Sequence, residues 1–404
     1  MQIMNKLIRV IAMCGLLCIN SSGTDAQVAS VKTPAKLLTT CHFVLLSGGI
    51  ILLRATVDDK DDSLTFILDT GCGGISFDSA TVERLGFLKK KSNKTIKGIA
   101  GTRKIDFTYN HRLNLPKLTV DSLNFHINDY DLLTSVYGVK IDGVIGYSFF
   151  KRYIVRIDYD QQQIEVYSKG TFKYPSGGYL IRPYLSPLPT NELYLNDSRN
   201  ILSSFIFDTG AGLNMLLSND FVKDSALFKK RRKFFITQGE GIGGKKLMKL
   251  SIVKLVHLGP YRFRKVPVYV FDDVFNVTSY PSYSGVIGND LLRRFNLTIN
   301  YPEGIIHLKP NKHYLDSFNY SYTGLGIYEL DGDVRVMDIV PNSPGDKAGF
   351  KPGDIILSVD KLVLKEVQAV KVALQNAGNT VNVTIMRDKQ LLQLELKIKN
   401  ILNR

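Results

Sequence analysis

Two stretches of the chain end an apolar run in a carboxylate, a hydroxyl and a glycine. They are Phe66-Ile-Leu-Asp-Thr-Gly-Cys-Gly73 and Phe205-Ile-Phe-Asp-Thr-Gly-Ala-Gly212. Two carboxylates held a few ångströms apart cannot both ionise readily, so one keeps a proton while the other stays charged. Such a pair supplies an acid and a base, and it activates water without a metal or a covalent intermediate. Asp69 and Asp208 are therefore the candidate catalytic residues.

The residues that follow each aspartate suit the same chemistry. Gly71 and Gly210 let the backbone turn sharply and bring an N–H close to a carboxylate, which a side chain would hinder. The hydroxyls of Thr70 and Thr209 could hydrogen-bond to the opposite half and fix the separation of the pair. A lone Asp-Thr-Gly also suits an ordinary turn, so the prediction depends on the presence of two copies.

The elements that must position these residues are duplicated as well. After each triplet the same landmarks recur in the same order: a short helix, a glycine-bounded tip between strands, an apolar segment ending in glycine, and a closing hairpin. They lie at residues 76–85, 97–101, 141–146 and 154–167, and again at 218–227, 240–244, 284–288 and 296–308. Two copies of this length indicate one duplication rather than a repeat array, and they predict two related halves that bring Asp69 and Asp208 together.

On these residues the chain resembles an aspartic protease of the retropepsin and pepsin superfamily in a two-lobed, single-chain form. The resemblance covers roughly residues 40–309, and it includes Val144-Ile-Gly146 and Val286-Ile-Gly288 beside the two triplets. It implies a mainly β fold with two duplicated β-barrel lobes, at residues 35–178 and 179–312. It also implies an aspartic-type endopeptidase that takes peptide or protein substrates and uses no metal and no cofactor.

The glycine-bounded tips resemble the flaps of this superfamily. By this resemblance they would close over an extended peptide that pairs with them as an added strand. An ordinary hairpin turn is the alternative for both tips. The predicted flap residues are Gly98, Ile99 and Gly101 in the first lobe and Gly241, Ile242 and Gly243 in the second.

Cys72 and Ala211 depart from the pepsin pattern, because pepsins usually carry Ser or Thr at these two positions. A lost hydrogen bond to the charged carboxylate raises its pKa, which predicts activity nearer neutral pH than that of pepsin. Cys72 could instead be a nucleophile, but none of the six histidines stands in a cysteine-protease context. A packing role or a disulfide with Cys41 is favoured, and the sequence leaves that pairing open.

The last part of the chain, residues 318–404, has its own mixed α/β pattern and resembles a PDZ domain of bacterial secreted proteases. Its most specific signature begins at Ser343-Pro-Gly-Asp-Lys-Ala-Gly-Phe350. The resemblance implies that a peptide carboxyl terminus binds between a loop and a helix at residues 366–377, with the loop N–H groups cradling the carboxylate. The domain could instead serve as a packing partner. The predicted peptide-binding residues are Gly324, Leu325, Gly326 and Ile327.

The amino-terminal residues 1–26 have the pattern of a secretory signal peptide, with basic residues, a short apolar run and a small-residue site near Ala26. This predicts export to a bacterial periplasm or to the medium. Lipid attachment at Cys14 or Cys18 is disfavoured, because Met13 and Leu17 are bulky where a lipoprotein signal has a small residue. The rest of the chain contains no apolar stretch long enough to predict a transmembrane segment.

The formal net charge of +15 raises the possibility of a nucleic-acid partner. The basic residues are spread over the chain, however, and they lack the alternation with aromatic residues that is typical of such surfaces, so no nucleic-acid partner is predicted. The remaining rival from another class is a non-catalytic scaffold of the same fold that holds extended peptides. Retention of both aspartates disfavours it.

Overall fold

The β-strand is the main element of the chain. Buried and partly exposed residues alternate along strands such as Gln163–Tyr167. The structure is a computed structural model that describes residues 33–185 and 187–403. The predicted signal peptide, with Cys14 and Cys18, lies outside the described residues.

The first lobe comes first in the sequence. Its strands are β1 (Leu37–His42), β2 (Val44–Leu45), β3 (Ile51–Val57), β4 (Leu64–Leu68), β5 (Ile75–Asp78), β6 (Thr95–Gly98), β7 (Gly101–Lys104), β8 (Asp106–Leu115), β9 (Leu118–Asn128), β10 (Gly143–Ile145), β11 (Ile154–Asp158) and β12 (Gln163–Tyr167). Its helices are α1 (Ser79–Leu85), α2 (Asp131–Tyr137) and α3 (Tyr147–Phe150), and Ser47–Gly49 forms a 3₁₀ turn.

The second lobe repeats this order. Its strands are β13 (Tyr179–Ile181), β14 (Tyr184–Leu185), β15 (Pro189–Asn196), β16 (Asn200–Asp208), β17 (Met215–Ser218), β18 (Phe235–Gly241), β19 (Gly244–Leu258), β20 (Tyr261–Phe271), β21 (Gly285–Gly288), β22 (Phe295–Asn300) and β23 (Ile305–Pro310). Its helices are α4 (Asn219–Asp224) and α5 (Asn289–Leu292), and Tyr301–Glu303 forms a 3₁₀ turn.

Both lobes close into barrels. In the first, the order β3-β4-β10-β5-β9-β8 closes where β3 pairs with β8 through Val57 and Leu113. In the second, the order β15-β16-β21-β17-β20-β19 closes where β15 pairs with β19 through Leu195 and Val256. The prediction of a mainly β fold with two duplicated barrel lobes is confirmed.

The closing hairpins of the two lobes join them. β1-β12-β11-β22-β23-β13 form a sheet in which β11 of the first lobe pairs antiparallel with β22 of the second, from Ile154 opposite Asn300 to Ile157 opposite Leu297. The sequence predicts both hairpins but not their pairing. Buried residues of both lobes accordingly form one continuous apolar cluster.

The short helices start and stop where local chemistry dictates. The Asp78 side chain accepts the Thr81 N–H at the start of α1, and Gly86 ends it in the left-handed conformation at φ 70°. The predicted helix at residues 76–85 therefore begins later than expected, because Ile75–Asp78 belongs to β5. The predicted helix at 218–227 is likewise shortened to Asn219–Asp224.

The carboxyl-terminal domain has its own buried core, separate from that of the lobes. Its strands are β24 (Ser321–Tyr322), β25 (Leu325–Leu330), β26 (Asp333–Ile339), β27 (Ile355–Val359), β28 (Leu362–Val363), β29 (Thr380–Arg387), β30 (Gln390–Lys397) and β31 (Lys399–Asn400), and its helices are α6 (Pro344–Lys347) and α7 (Val367–Ala373). Its sheet has the order β25-β26-β27-β29-β30. The helix α7 is shorter than the predicted residues 366–377.

Over residues 33–185 and 187–403, no helix combines the length and the apolar character needed to cross a membrane.

Candidate active site

The two Asp-Thr-Gly triplets lie at the ends of matching strands, β4 and β16, in which the three residues before each aspartate are buried. In the first lobe, Ile145 of β10 lies beside Leu68 in parallel register, and the Asp69 N–H donates to the Ile145 carbonyl at 2.9 Å. In the second lobe, Gly288 of β21 lies opposite Asp208 in the same way. The apolar segments that precede Gly146 and Gly288 thus hold the backbone from which each carboxylate projects.

The glycines of the triplets bring the two carboxyl groups together. The Gly71 N–H donates to Asp69 Oδ1 at 2.6 Å, and the Gly210 N–H donates to Asp208 Oδ1 at 2.8 Å. A Cβ added to Gly71 would lie within 2.7 Å of all three carboxyl atoms of Asp208, and one added to Gly210 would lie as close to Asp69. Each glycine therefore packs directly against the carboxylate of the opposite lobe.

The threonines link the two triplets by reciprocal hydrogen bonds. The Thr70 hydroxyl donates to the Phe207 carbonyl at 2.8 Å and accepts the Thr209 N–H at 3.1 Å. The Thr209 hydroxyl donates to the Leu68 carbonyl at 3.0 Å and accepts the Thr70 N–H at 3.0 Å. Both threonines are buried, so each bond satisfies a backbone group that would otherwise lack a partner. A hydroxyl contact between the halves at these two threonines is one of the predictions from the sequence.

The environment of the carboxyl pair favours protonation. Burial, the charge of Asp208 and a hydrogen bond between the two side chains raise the pKa of Asp69 well above its ordinary value. Burial also raises the pKa of Asp208, although hydrogen bonds from Asp69, Gly210 and Ala211 oppose the change. The pair therefore holds a shared proton at pH values where an exposed carboxyl is ionised.

Cys72 lies beside the pair but lacks the properties of a nucleophile. Burial, followed by the charge of Asp69, raises the pKa of its thiol far above the ordinary value, so the thiol stays protonated. It packs against the apolar cluster that contains Ile67 and Val144. Among the described residues both Cys41 and Cys72 are free thiols, so the disulfide that the sequence left open is not formed here.

The carboxyl pair of Asp69 and Asp208, the dyad, lies in a cavity of about 990 Å³ whose wall includes both predicted flaps. Of the predicted flap residues, Gly98, Ile99, Gly241 and Ile242 line it. The tips of the two flaps touch: the Ala100 N–H points to the Ile242 carbonyl at 3.5 Å, and a Cβ on Gly98 would lie within 2.6 Å of three atoms of Ile242. A Cβ on Gly243 would meet the Gly101 Cα at 2.9 Å, so the backbone of Gly243 packs directly against that of Gly101, whereas a Cβ on Gly101 would have room at 3.6 Å.

The carboxyl-terminal domain reaches the same cavity. Leu325 and Ile327 of the predicted peptide-binding set line it. Gly324 and Gly326 are absent from the cavity wall in the described part of the chain: Gly324, at φ 74°, packs against Ser343, and Gly326 packs against Asp338. Gly324 therefore shapes the loop and Gly326 leaves room for Asp338 beside β25, while Leu325 and Ile327 line the cavity.

Contacts between this domain and the second flap were not predicted. The Tyr328 hydroxyl donates to Glu240 Oε1 at 2.8 Å, and Lys245 Nζ lies 2.6 Å from Asp338 Oδ2. These pairs are far apart in the sequence, which therefore carries no signal for them. The helix α2 was also missed, although Leu132, Leu133 and Val136 have helical spacing and Gly138 follows as a stop.

Three carboxylates outside the cavity lie close enough together to suggest a metal site. Among the described residues, Asp78, Asp129 and Asp131 offer oxygens within 4.8 Å of one another. Lys140 Nζ lies 2.7 Å from Asp78 Oδ2 and 3.8 Å from Asp131 Oδ1. A lysine ammonium thus already counters the charge of this group, and nothing else points to a cation there.

Comparison with known proteins matches two parts of the chain. The family model described as aspartyl protease matches residues 53–149 and 192–291, one segment in each barrel, and the PDZ domain model matches residues 321–398. A protein of Rickettsia conorii, named as a probable periplasmic serine endoprotease of the DegP-like kind, is 39% identical over 77 residues. That match spans 19% of this chain and 15% of the relative, so the relative's activity does not transfer with it.

Proposed function

The chain contains an aspartyl-protease region of two lobes followed by a PDZ domain, and from this we propose that it is an aspartic-type endopeptidase. In this proposal Asp69 and Asp208 are the catalytic residues, and Thr70, Gly71, Thr209 and Gly210 hold them in place. Peptides and proteins are the substrates, and the PDZ domain contacts the peptide carboxyl terminus or regulates access to the cavity.

The proposed reaction is hydrolysis of a peptide bond by a water molecule bound between the two carboxyl groups. The ionised carboxylate takes a proton from the water, whose oxygen forms a bond to the carbonyl carbon. The protonated carboxyl donates its proton to the carbonyl oxygen, which gives a neutral tetrahedral intermediate. Transfer of a proton to the nitrogen then breaks the C–N bond and releases an amine and a carboxylic acid.

The observation that carries this proposal is the mutual packing of the triplets. Each glycine N–H donates to the carboxylate of its own triplet, while the same glycine lies against the carboxylate of the other. The hydroxyl bonds between Thr70 and Thr209 and the opposite backbones hold this arrangement. A pair of carboxyls in such a frame is preorganised for general acid and base catalysis.

Two observations argue against other hydrolytic chemistry in this cavity. The protonated thiol of Cys72 disfavours a cysteine nucleophile. The relative named as a serine endoprotease shares only a short segment with this chain. The proposal therefore assigns the aspartic mechanism to the lobes themselves.

Cleavage of a peptide library by the purified protein tests the proposal. We expect a peptide that mimics the tetrahedral intermediate to block cleavage, and a serine-directed fluorophosphonate to leave it unchanged. Asp69→Asn and Asp208→Asn variants should each lose activity by roughly 10²- to 10⁴-fold, while Asp121→Asn, an exposed carboxylate on β9, serves as the matched control. A folded protein that binds peptides without cutting them would support the scaffold alternative, and inhibition by the fluorophosphonate would support a serine mechanism.

We also propose that the protein is exported, to a bacterial periplasm or to the medium, without a lipid anchor. The pattern of residues 1–26 supports this, and so does the word periplasmic in the name of the relative. Mass spectrometry of the protein recovered from a bacterial host should find a new amino terminus near residue 27.

A further inference from the structure

The second flap, which is the hairpin of β18 and the first residues of β19, carries three polar side chains that bond to the PDZ domain. They are Gln238 and Glu240 on β18 and Lys245 on β19. Gln238 and Glu240 also line the cavity of the dyad, and Ile242 at the tip contacts the first flap. Whatever holds these side chains therefore also holds a wall of the candidate active site.

Two side chains of the PDZ domain, Tyr328 on β25 and Asp338 on β26, contact these three. The Tyr328 hydroxyl donates to Glu240 Oε1 at 2.8 Å and accepts from Gln238 Nε2 at 2.9 Å. Asp338 Oδ2 accepts from the same amide at 3.1 Å and lies 2.6 Å from Lys245 Nζ. The Lys245 ammonium also lies over the Tyr328 ring, 4.6 Å from its centroid. We call these five residues the clamp.

Burial and charge both strengthen the clamp. Tyr328 is only 2% exposed, and withdrawal of the flap would remove both hydrogen-bond partners of its hydroxyl. Although burial opposes the change, hydrogen bonds with Lys245 and Gln238 lower the pKa of Asp338. The carboxylate is therefore charged at neutral pH, and its bond to Lys245 is charge-assisted, which makes such a bond roughly twice as strong as one between neutral groups.

Other side chains fix the PDZ domain to the first lobe. On α7, Lys371 Nζ donates to the Val136 carbonyl at 2.6 Å, and Gln368 Nε2 donates to the Tyr137 carbonyl at 3.1 Å. Both carbonyls belong to the end of α2 in the first lobe. The clamp thus ties a flap of the second lobe to the first lobe through the PDZ domain.

The first flap lacks such a support. β6 and β7 form a two-stranded sheet of their own, and a hairpin of this kind is marginally stable by itself. Within residues 33–185 and 187–403, no hydrogen bond or ion pair joins residues 95–104 to the PDZ domain. By contrast, β18 and β19 belong to the barrel sheet of the second lobe and are held by the clamp as well. The two flaps are therefore supported unequally.

We propose that Tyr328 and Asp338 are positioning residues of the peptidase, which hold the second flap over the dyad before a peptide enters. The second flap is then a fixed wall of the cavity, and a peptide is admitted by movement of the first flap. The inference rests on the proposed hydrolysis by the dyad. It gives the PDZ domain a role at the active site that requires no peptide in its own groove.

Steady-state kinetics of the full chain with one long peptide test this role. Loss of the clamp lowers the fraction of protein that is ready to bind, which raises the apparent dissociation constant of the peptide. We expect Tyr328→Phe and Asp338→Asn each to raise KM roughly 5- to 50-fold. Because a bound peptide then holds the flap itself, kcat should stay within about three-fold of the wild-type value. Tyr109→Phe, exposed on β8, and Asp331→Asn, exposed between β25 and β26, are the matched controls.

The charge pair provides a second readout, because Lys245 belongs to the flap and Asp338 to the PDZ domain. Lys245→Met should raise KM as Asp338→Asn does, and Lys245→Arg should retain the wild-type KM. The double variant of Lys245→Met and Asp338→Asn should be no worse than either single variant within about three-fold, since both changes remove one interaction. Losses that multiply in the double variant would overturn the assigned pairing.

Hydrogen–deuterium exchange of the protein without peptide tests the clamp independently of catalysis. Amides of residues 95–104 should exchange faster than those of residues 235–247, and Tyr328→Phe should speed exchange in the second range only. An unchanged KM in both Tyr328→Phe and Asp338→Asn overturns the positioning role and leaves the proposed hydrolysis standing. If the wild-type protein cuts no peptide, the proposed function fails, and unchanged exchange in Tyr328→Phe then rejects the clamp by itself.

Discussion

Gly71 and Gly210 each lie directly against a carboxylate of the opposite lobe. A hydrogen atom is all that fits between either backbone and the opposite carboxylate, because a Cβ would lie within 2.7 Å of the carboxyl atoms. Each triplet glycine thus has two tasks. It donates its N–H to the aspartate of its own triplet, and it leaves room for the aspartate of the opposite lobe. The sequence suggests the first task but not the second.

A Gly71→Ala substitution should therefore displace the Asp208 carboxylate while leaving the lobes folded. We expect kcat to fall by about 10²-fold or more, since a displacement of an ångström in a catalytic group has effects of this size. Gly73→Ala is the matched control, because nothing lies within 4 Å of a Cβ there. A Gly71→Ala protein with wild-type kcat would contradict the description of the dyad.

The pH dependence of activity follows from the raised pKa values of the pair. Because burial raises the pKa of both carboxyls, the acid limb of the pH–rate profile should lie above the ordinary carboxyl pKa of about 4. Ala211→Ser should add a hydrogen bond to the charged form of Asp208, lower its pKa and move the acid limb to lower pH. Ala80→Ser, on the exposed face of α1, should leave the profile unchanged. An optimum below about 4 in the wild-type protein would contradict this account.

Among the elements around the site, the two predicted flaps contact each other at their tips. Gly98→Ala should prevent this contact, because its Cβ would overlap Ile242. We expect kcat/KM for peptides to fall roughly ten-fold or more, as a flap that cannot close leaves the substrate poorly positioned. Gly101→Ala provides the control, since its Cβ would meet Gly243 at an ordinary 3.6 Å. Equal losses in the two variants would show that the tip contact itself is unimportant.

Periodicity and turn chemistry predict most helices and strands, but they fail where contacts between distant parts of the chain determine the structure. The strands that end in Asp69 and Asp208 follow from apolar runs that stop at a triplet, and the two barrels follow from their duplication. The helix α2 was missed because it has only seven residues and lies between strands, although its apolar residues have helical spacing. Its position matters nonetheless, because its end contacts Gln368 and Lys371 of α7.

The arrangement of the lobes and the PDZ domain involves the whole molecule. Neither the pairing of β11 with β22 nor the position of the PDZ domain has a local sequence signal, because both depend on residues far apart in the chain. Lys371 is the clearest case: in the sequence it is one lysine among many on a predicted helix. Its place beside the dyad's cavity emerges only from the fold.

Gln368 anchors α7 to the first lobe. Its Oε1 accepts the Ser47 N–H at 3.1 Å and the Ser47 hydroxyl at 2.6 Å, and its Nε2 donates to Tyr137. Gln368→Ala should therefore destabilise this contact by about 1–3 kcal/mol and speed amide exchange in α2 and around Ser47. Hydrogen–deuterium exchange with mass spectrometry measures this, with the exposed Gln390→Ala on β30 as control. Unchanged exchange would mean that the domain is held elsewhere.

The most direct measurement of the central claim is the cleavage rate of one peptide by Asp69→Asn, Asp208→Asn and the double variant. If the two carboxyls act as one unit, each single change removes nearly all catalysis, and the double variant should be no slower than the singles within about three-fold. Losses that multiply in the double variant, or activity that survives either single change, would contradict a shared dyad.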